Sequence, residues 1–145
     1  MIIIRPAQPD DLDLLYSFSG TSPDSIQSKS ILKKYCAKGS LIVMDGLDAI
    51  TGFIVEQVVD DEAELIQIVV SDSYRRKGVA CAALQQWHKS LIAKRVQTVF
   101  LEVRSRNLAA LSLYRKLGYQ KIGVRKNYYH VDGGFEDASL MKIDL

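Results

Sequence analysis

The stretch IVVSDSYRRKGVAC, residues 68–81, decides the fold, because a strand pattern changes into a helix pattern within it. The β-branched run Ile68-Val69-Val70 is typical of a buried strand, and Gly78-Val79-Ala80 is typical of a helix start. The first turn of a helix has unpaired N–H groups and a partial positive charge, so a glycine before it lets a phosphate approach closely. The cations of Arg75-Arg76-Lys77 strengthen this interpretation, although solvated loops are often basic as well. Two interpretations stay open here, a pyrophosphate cradle and an ordinary basic turn.

Working outward from this stretch, apolar periodicity and turn residues predict strands that alternate with helices along one domain, residues 1–145. Strands are expected at 2–5, 41–44, 50–59, 62–71, 98–103, 119–128 and 136–143, and helices from about residue 10 to 18 and at 26–38, 79–94 and 107–117, with a turn at 20–24. The pattern predicts an α/β (α+β) fold, a mixed seven-stranded sheet with about four helices on its two faces.

The composition excludes several classes of protein. The 145 residues are 48% hydrophobic and carry a formal charge of only +2, without the basic excess of a dedicated nucleic-acid binder. Cys36 and Cys81 are far apart and outside any ligand spacing, so neither a disulfide framework nor a metal site is predicted. We find no long apolar run and no signal peptide pattern, so we expect a soluble cytoplasmic protein without a membrane partner. The oligomeric state is left open.

A second group of candidate residues follows the strand at 98–103. Glu102 points away from the apolar side of its strand. It is the partner of Arg104 or another cation, a partly exposed strand residue, or a general base. Asn107 has the position of a helix N-cap, and Tyr114 has the spacing of a core aromatic. We assign no role to His88 and His130, and expect both at the surface.

These segments together resemble a known family. Arg75-x-x-Gly78-x-Ala80 after a strand resembles the acyl-coenzyme A binding motif of the Gcn5-related N-acetyltransferases, with alanine in place of a glycine at position 80. A second resemblance is to one family within that superfamily, the bacterial ribosomal-protein-alanine N-acetyltransferases. It is carried by Leu101-Glu102-Val103-Arg104, Asn107 and Leu113-Tyr114. Arg125-Lys126-Asn127-Tyr128-Tyr129, with Glu136-Asp137-Ala138 behind it, also carries this resemblance. The similarity extends from about residue 61 to about residue 141.

The resemblance implies the Gcn5-related acyltransferase fold, acetyl-coenzyme A as acetyl donor and a role for each matching residue. Glu102 would be the general base, and Tyr114 the general acid that protonates the departing thiolate. The residues implied to bind the donor are Ile68, Val69, Val70, Arg75, Arg76, Lys77, Gly78, Val79, Ala80, Cys81 and Asn107. Tyr128 and Tyr129 would face the acceptor, with Glu136-Asp137 as a source of negative charge.

The acceptor implied by the resemblance is a protein N-terminal α-amine, such as that of a small-subunit ribosomal protein beginning with alanine. Residues 19–28 depart from the family, because they lack its aromatic-Pro-Trp-Ser type segment near the peptide groove. Two alternatives therefore remain, an acetyltransferase for small amines or lysine side chains and a non-catalytic acyl-coenzyme A sensor. The sensor hypothesis is disfavoured because Glu102 and Tyr114 both occur at the family spacing.

Overall fold

A computed structural model describes residues 1–20, 25–26, 28–46 and 48–145. Its elements are β1 Ile3–Pro6, a 3₁₀ turn Pro9–Asp11, α1 Leu12–Ser17, α2 Lys29–Ala37, β2 Leu41–Asp45, β3 Ile50–Val59, β4 Glu62–Val70, a 3₁₀ turn Asp72–Tyr74, α3 Val79–Ala93, β5 Thr98–Arg104, α4 Leu108–Leu117, β6 Gln120–Val131 and β7 Gly134–Asp144. The predicted order of strands and helices is confirmed. Most of the predicted turn at 20–24, and part of the departing segment at 19–28, fall outside the described residues.

The described strands form one seven-stranded sheet in the order β1-β2-β3-β4-β5-β7-β6. Only the pairing of β4 with β5 is parallel, because α3 carries the chain back between these two strands, whereas the other described pairs are antiparallel. The sheet is therefore mixed, as predicted. None of the helices in the described ranges is long and apolar enough to cross a membrane.

Two apolar clusters cover opposite faces of the sheet. On one face, α3 and α4 bury Leu84, Trp87 and Leu111 against strand residues such as Val99 and Leu101. On the other face, α1 and α2 pack on strand residues that come from β2, β3 and β4. On this same face, α1 and α2 do not cover β5, β7 and β6, so these strands carry partly exposed and charged side chains there. The candidate catalytic carboxylate, Glu102, is one of them.

His88 is a correction to the expectation of two surface histidines. It is buried on the core side of α3, where its Nε2 lies 2.7 Å from the hydroxyl of Tyr119, and burial lowers its pKa. The helical spacing of Leu84, His88 and Leu91 places all three on the buried face of α3. His88 is therefore buried although its ring is polar. His130 is exposed, as expected.

Candidate active site

A wedge opens in the sheet between β4 and β5. The parallel ladder pairs Glu62 with Thr98 and ends where Leu65 meets Leu101. One residue later β4 has a bulge against β3, after which it pairs with β3 alone, while β5 remains paired with β7. Bulges bend the strand that carries them, so the two strands separate beyond this point. The main chain of residues 68–70 therefore lines the wedge, where the resemblance places the donor's pantetheine arm.

The loop after β4 forms a concave entrance to α3. Arg76 and Gly78 both have positive φ, at 62° and 77°, and Gly78 is the N-cap of α3. A Cβ at Gly78 would meet no described atom within 4 Å, so open space faces the first turn of the helix. Backbone N–H groups in this conformation and at a helix N-terminus attract anions. The structure favours the phosphate cradle among the two interpretations of this loop, because both the shape and the charge suit an anion.

The basic residues of the loop do not all face the same way. Arg75 donates from Nε to the carbonyl oxygen of Val70 at 3.1 Å and pairs with Asp72 at 3.1 Å, so its guanidinium braces the loop. The Lys77 ammonium lies 5.7 Å from the centre of the Tyr74 ring. Arg76 and Lys77 are exposed beside Gly78, whereas Ala80, Cys81 and Ala82 are half-buried in the first turn of α3.

Asn107 lies at the other side of the wedge, between β5 and α4. Its side-chain oxygen accepts a hydrogen bond from the N–H of Ala110 at 3.2 Å, which confirms the predicted cap. Capping occupies the carbonyl oxygen, and the amide NH₂ is the group that could donate to the acetyl donor.

Glu102 lies on β5 where the wedge opens. Its neighbours Leu101 and Val103 are buried on the helix side, so its side chain projects from the opposite face and is 21% exposed. The cation beside it is Arg125, whose Nε lies 3.0 Å from Oε1 of Glu102. Arg104, the partner considered from the sequence, pairs with Glu136 instead, at 3.7 Å. The two pairs lie side by side on β5, because Glu102 and Arg104 share a face of the strand.

Tyr114 lies on the helix side of the sheet. It is 6% exposed on α4, and its ring packs against that of Tyr119 with the centroids 5.7 Å apart. The core position predicted from the helical spacing is confirmed. Glu102 and Tyr114 thus lie on opposite faces of the sheet.

Tyr128 and Tyr129 lie at a bulge in β6. Between the pairs Arg125 with Ala138 and Tyr129 with Glu136, β6 has extra residues, and Asn127 takes a positive φ of 55°. The exposed Tyr128 ring then lies 5.3 Å from the guanidinium of Arg125 and 5.0 Å from the ring of Tyr129. Tyr128 is connected to Glu102 through Arg125.

The carboxylates of Glu136 and Asp137, expected to supply negative charge to the acceptor, bind groups of the protein itself. Glu136 is buried, and it accepts a hydrogen bond from the N–H of Arg106 at 3.0 Å besides its contact with Arg104. Asp137 accepts from the N–H of Asn127 at 2.9 Å and so holds the β6 bulge. The expectation that this pair supplies charge to an acceptor is therefore wrong for Glu136, because its carboxylate is needed to satisfy buried donors.

A cavity of about 360 Å³ lies on the open face beside Glu102. Its lining includes Gln57, Glu64, Phe100, Glu102, Arg125 and Leu140. Neither Glu64 nor Arg125 was predicted from the sequence to be a residue of the site. Alternation was the signal for Glu64, since Ala63 and Leu65 are buried on one side of β4 and Glu64 must face the other.

These features define a class of protein. A sheet split between β4 and β5, with an anion-binding loop at the start of α3 and a carboxylate on β5, suits an acyl donor lying in the wedge. The chain belongs to the acetyltransferase (GNAT) family, whose family model matches residues 10–119.

Within this family, the chain is similar to several N-acetyltransferases. Over 93 residues the chain is 41% identical to the [ribosomal protein bS18]-alanine N-acetyltransferase of Escherichia coli (strain K12), a match that covers 64% of this chain and 63% of that protein. It is 30% identical over 155 residues to an N-alpha-acetyltransferase of Saccharolobus solfataricus, covering 95% of this chain and 90% of that one. The crystal structure of the ribosomal-protein-S18-alanine N-acetyltransferase from Escherichia coli superposes with a TM-score of 0.87 at 30% identity, over 99% of this chain and 94% of that chain.

Proposed function

We propose that this protein transfers the acetyl group of acetyl-coenzyme A to the N-terminal α-amine of a protein. The observation that carries the proposal is the wedge, which has Glu102 and a cavity on one face of the sheet and Tyr114 on the other. The names of the relatives support an α-amine as acceptor. By the same likeness, the acceptor is the N-terminal alanine of a small-subunit ribosomal protein.

The donor side fits the shape of acetyl-coenzyme A. The main chain of residues 68–70 would pair with the amides of the pantetheine arm, as a strand would in that place. The pyrophosphate would meet Gly78 and the N–H groups of residues 79–81, with Arg76 and Lys77 adding charge. Arg75 would act on the donor indirectly, by holding the loop.

The chain then supplies proton transfers on both sides of the wedge. Glu102 would accept the proton of the attacking amine, directly or through a water, and Tyr114 would protonate the departing thiolate from the helix side. Each of these contributes on the order of 10²–10⁴ to the rate in enzymes of known mechanism. An α-amine has a reference pKa of about 7.7–8.0 against about 10.4 for lysine, so freeing it at neutral pH costs roughly 3 kcal/mol less. A single carboxylate is sufficient for such an acceptor.

On the acceptor side, Tyr128 and Tyr129 would form one wall of the entrance to the cavity. The exposed Tyr128 ring beside Arg125 provides a flat apolar surface for the first residues of a peptide. The cavity volume of about 360 Å³ lies at the lower end of the range for small-ligand sites, which is enough for the first residue of a peptide.

Thiol release from acetyl-coenzyme A tests the function against its alternatives. We expect rapid release with a peptide that begins with a free alanine, and slow release with spermidine or with lysine amide. Faster release with the small amines would instead indicate an acetyltransferase for small amines or lysine side chains. No release with any amine, despite tight binding of acetyl-coenzyme A, would make it an acyl-coenzyme A sensor.

The substitution Gly78→Val tests the donor site. A valine fills the open space before α3 and strains a backbone at φ 77°, so we expect the Kd for acetyl-coenzyme A to rise about tenfold or more. Calorimetry with the purified variant measures this change.

Gly39→Val is the matched control for backbone strain. Gly39 also has a positive φ, of 73°, and an added Cβ would meet no described atom within 4 Å, but this glycine follows α2 rather than preceding α3. We expect similar destabilisation and no change in Kd. An unaltered Kd in Gly78→Val, or an equal rise in both variants, would contradict the placement of the pyrophosphate.

A further inference from the structure

We propose that Glu64 is the specificity-determining residue that makes the acceptor cavity select a positively charged amine. The inference rests on the proposed function, because it concerns the acceptor end of the same site. Glu64 and Glu102 line the cavity with Arg125, whose guanidinium is paired with Glu102, so the charge of Glu64 is left unbalanced where the acceptor's ammonium would enter.

The fold places Glu64 beside Glu102. Glu64 lies opposite Phe100 in the parallel ladder, and Glu102 is the next residue of β5 on that face. The ladder ends one residue after Glu64, so this side chain is the last on the open face of β4 before the bulge. Both carboxylates line the cavity together with Arg125.

The electrostatics show that the two carboxylates interact. Partial burial raises the pKa of Glu64, the charge of Glu102 raises it further, and Arg125 opposes both effects. Arg125 itself is bound to Glu102 at 3.0 Å, so its charge is largely committed there. Although the side chain is exposed on this face, its ionised form is therefore disfavoured in the folded protein.

Two charged pairs lie on β5 and β7 on this face of the sheet. Lys142, on β7, lies 3.7 Å from Asp144, so these two charges offset each other. Arg104, on β5, lies 3.7 Å from Glu136 in the same way. Neither pair therefore neutralises Glu64.

The lining of the cavity keeps the excess of negative charge. Glu62 adds a carboxylate two residues before Glu64 on β4, and the side chains that β3 contributes are uncharged. Among the described residues of the lining, three are acidic and one, Arg125, is basic. A bound ammonium would reduce this excess.

The proposal gives Glu64 opposite effects on binding and on stability. A carboxyl whose pKa is higher in the folded than in the unfolded state is harder to ionise in the folded protein. Its ionisation therefore destabilises the folded state at pH values above the ordinary pKa of the group. Glu64→Gln should therefore raise Tm at neutral pH, and this gain should vanish as the pH falls below the ordinary glutamate pKa of about 4.3. A residue retained only for stability would show the reverse.

Steady-state kinetics with an alanine-initiated hexapeptide and saturating acetyl-coenzyme A tests the selection. We expect Glu64→Gln to raise the KM for the peptide about tenfold while kcat changes less than about threefold. Asp60→Asn is the charge-matched control, since Asp60 is exposed at the turn between β3 and β4 with a positive φ of 55° that asparagine also tolerates. We expect it to leave both constants unchanged.

Equilibrium binding separates charge selection from catalysis. With free coenzyme A in the wedge, the wild type should bind the hexapeptide at least about tenfold more tightly than its N-acetylated form, and Glu64→Gln should bind the two peptides almost equally. An unchanged KM and an unchanged preference in Glu64→Gln would overturn the inference. A fall in kcat at constant KM would also overturn it, because Glu64 would then act on the proton transfer. Absence of turnover in the wild type would instead contradict the proposed function.

Discussion

The substitution Glu102→Gln is expected to lower kcat by about 100-fold or more at neutral pH, with the Kd for acetyl-coenzyme A unchanged within about twofold. Glutamine keeps the size of the side chain, and its carbonyl oxygen still accepts a hydrogen bond from Nε of Arg125. The variant therefore loses basicity without losing its neighbour. Single-turnover rates with an alanine-initiated peptide, together with calorimetry for the donor, measure the two quantities.

The variant Arg125→Met distinguishes a base from an ion-pair partner. If Glu102 served only to bind Arg125, removing either partner would have a similar effect on the rate. The proposed base requires a much greater loss in Glu102→Gln than in Arg125→Met, for which we expect less than about tenfold. Near wild-type activity of Glu102→Gln from about pH 6 to about pH 9 would return Glu102 to a structural role.

Tyr114→Phe is expected to lower kcat by roughly 10-fold to 100-fold, because it removes the acid and leaves the packing of the ring intact. Tyr114 is 6% exposed in the core of α4, so phenylalanine fills the same space. The rate of thiol release with the alanine-initiated peptide gives the effect, and the melting temperature reports on the fold.

Tyr119→Phe is a close control, since the two rings are in contact. The hydroxyl of Tyr119 lies 2.7 Å from Nε2 of His88, and its loss should cost about 1 kcal/mol of stability with little change in kcat. If Tyr114→Phe were as active as the wild type, or both variants were impaired alike, Tyr114 would be a packing residue.

The fold was predictable because its signals are local. Val99, Leu101 and Val103 alternate along β5, so the face that carries Glu102 follows from the sequence. The cap at Asn107 and the start of α3 after a glycine likewise depend on residues within a few positions. Each of these features is decided by neighbours in the chain.

The charge pairs of the site were not predictable for the opposite reason. Arg125 reaches Glu102 through the register of β6 on β7 and of β7 on β5, and β6 shifts its register between Lys121 and Gly123 and again after Arg125. A one-residue shift turns a side chain to the other face of the sheet, so no spacing in the sequence gives this contact. Glu64 meets Glu102 only because the chain returns through α3 to form the parallel pair.

The most direct test of the proposed acceptor compares two peptides of one sequence at equal concentration. One has a free N-terminal alanine and no lysine, and the other is blocked at its N-terminus and carries one lysine. We predict that the free α-amine is acetylated much faster, by about 100-fold, since a lysine amine is harder to deprotonate and extends further from the peptide backbone. Mass spectrometry of the products identifies the acetylated nitrogen. Faster acetylation of the blocked lysine peptide would contradict the proposed acceptor.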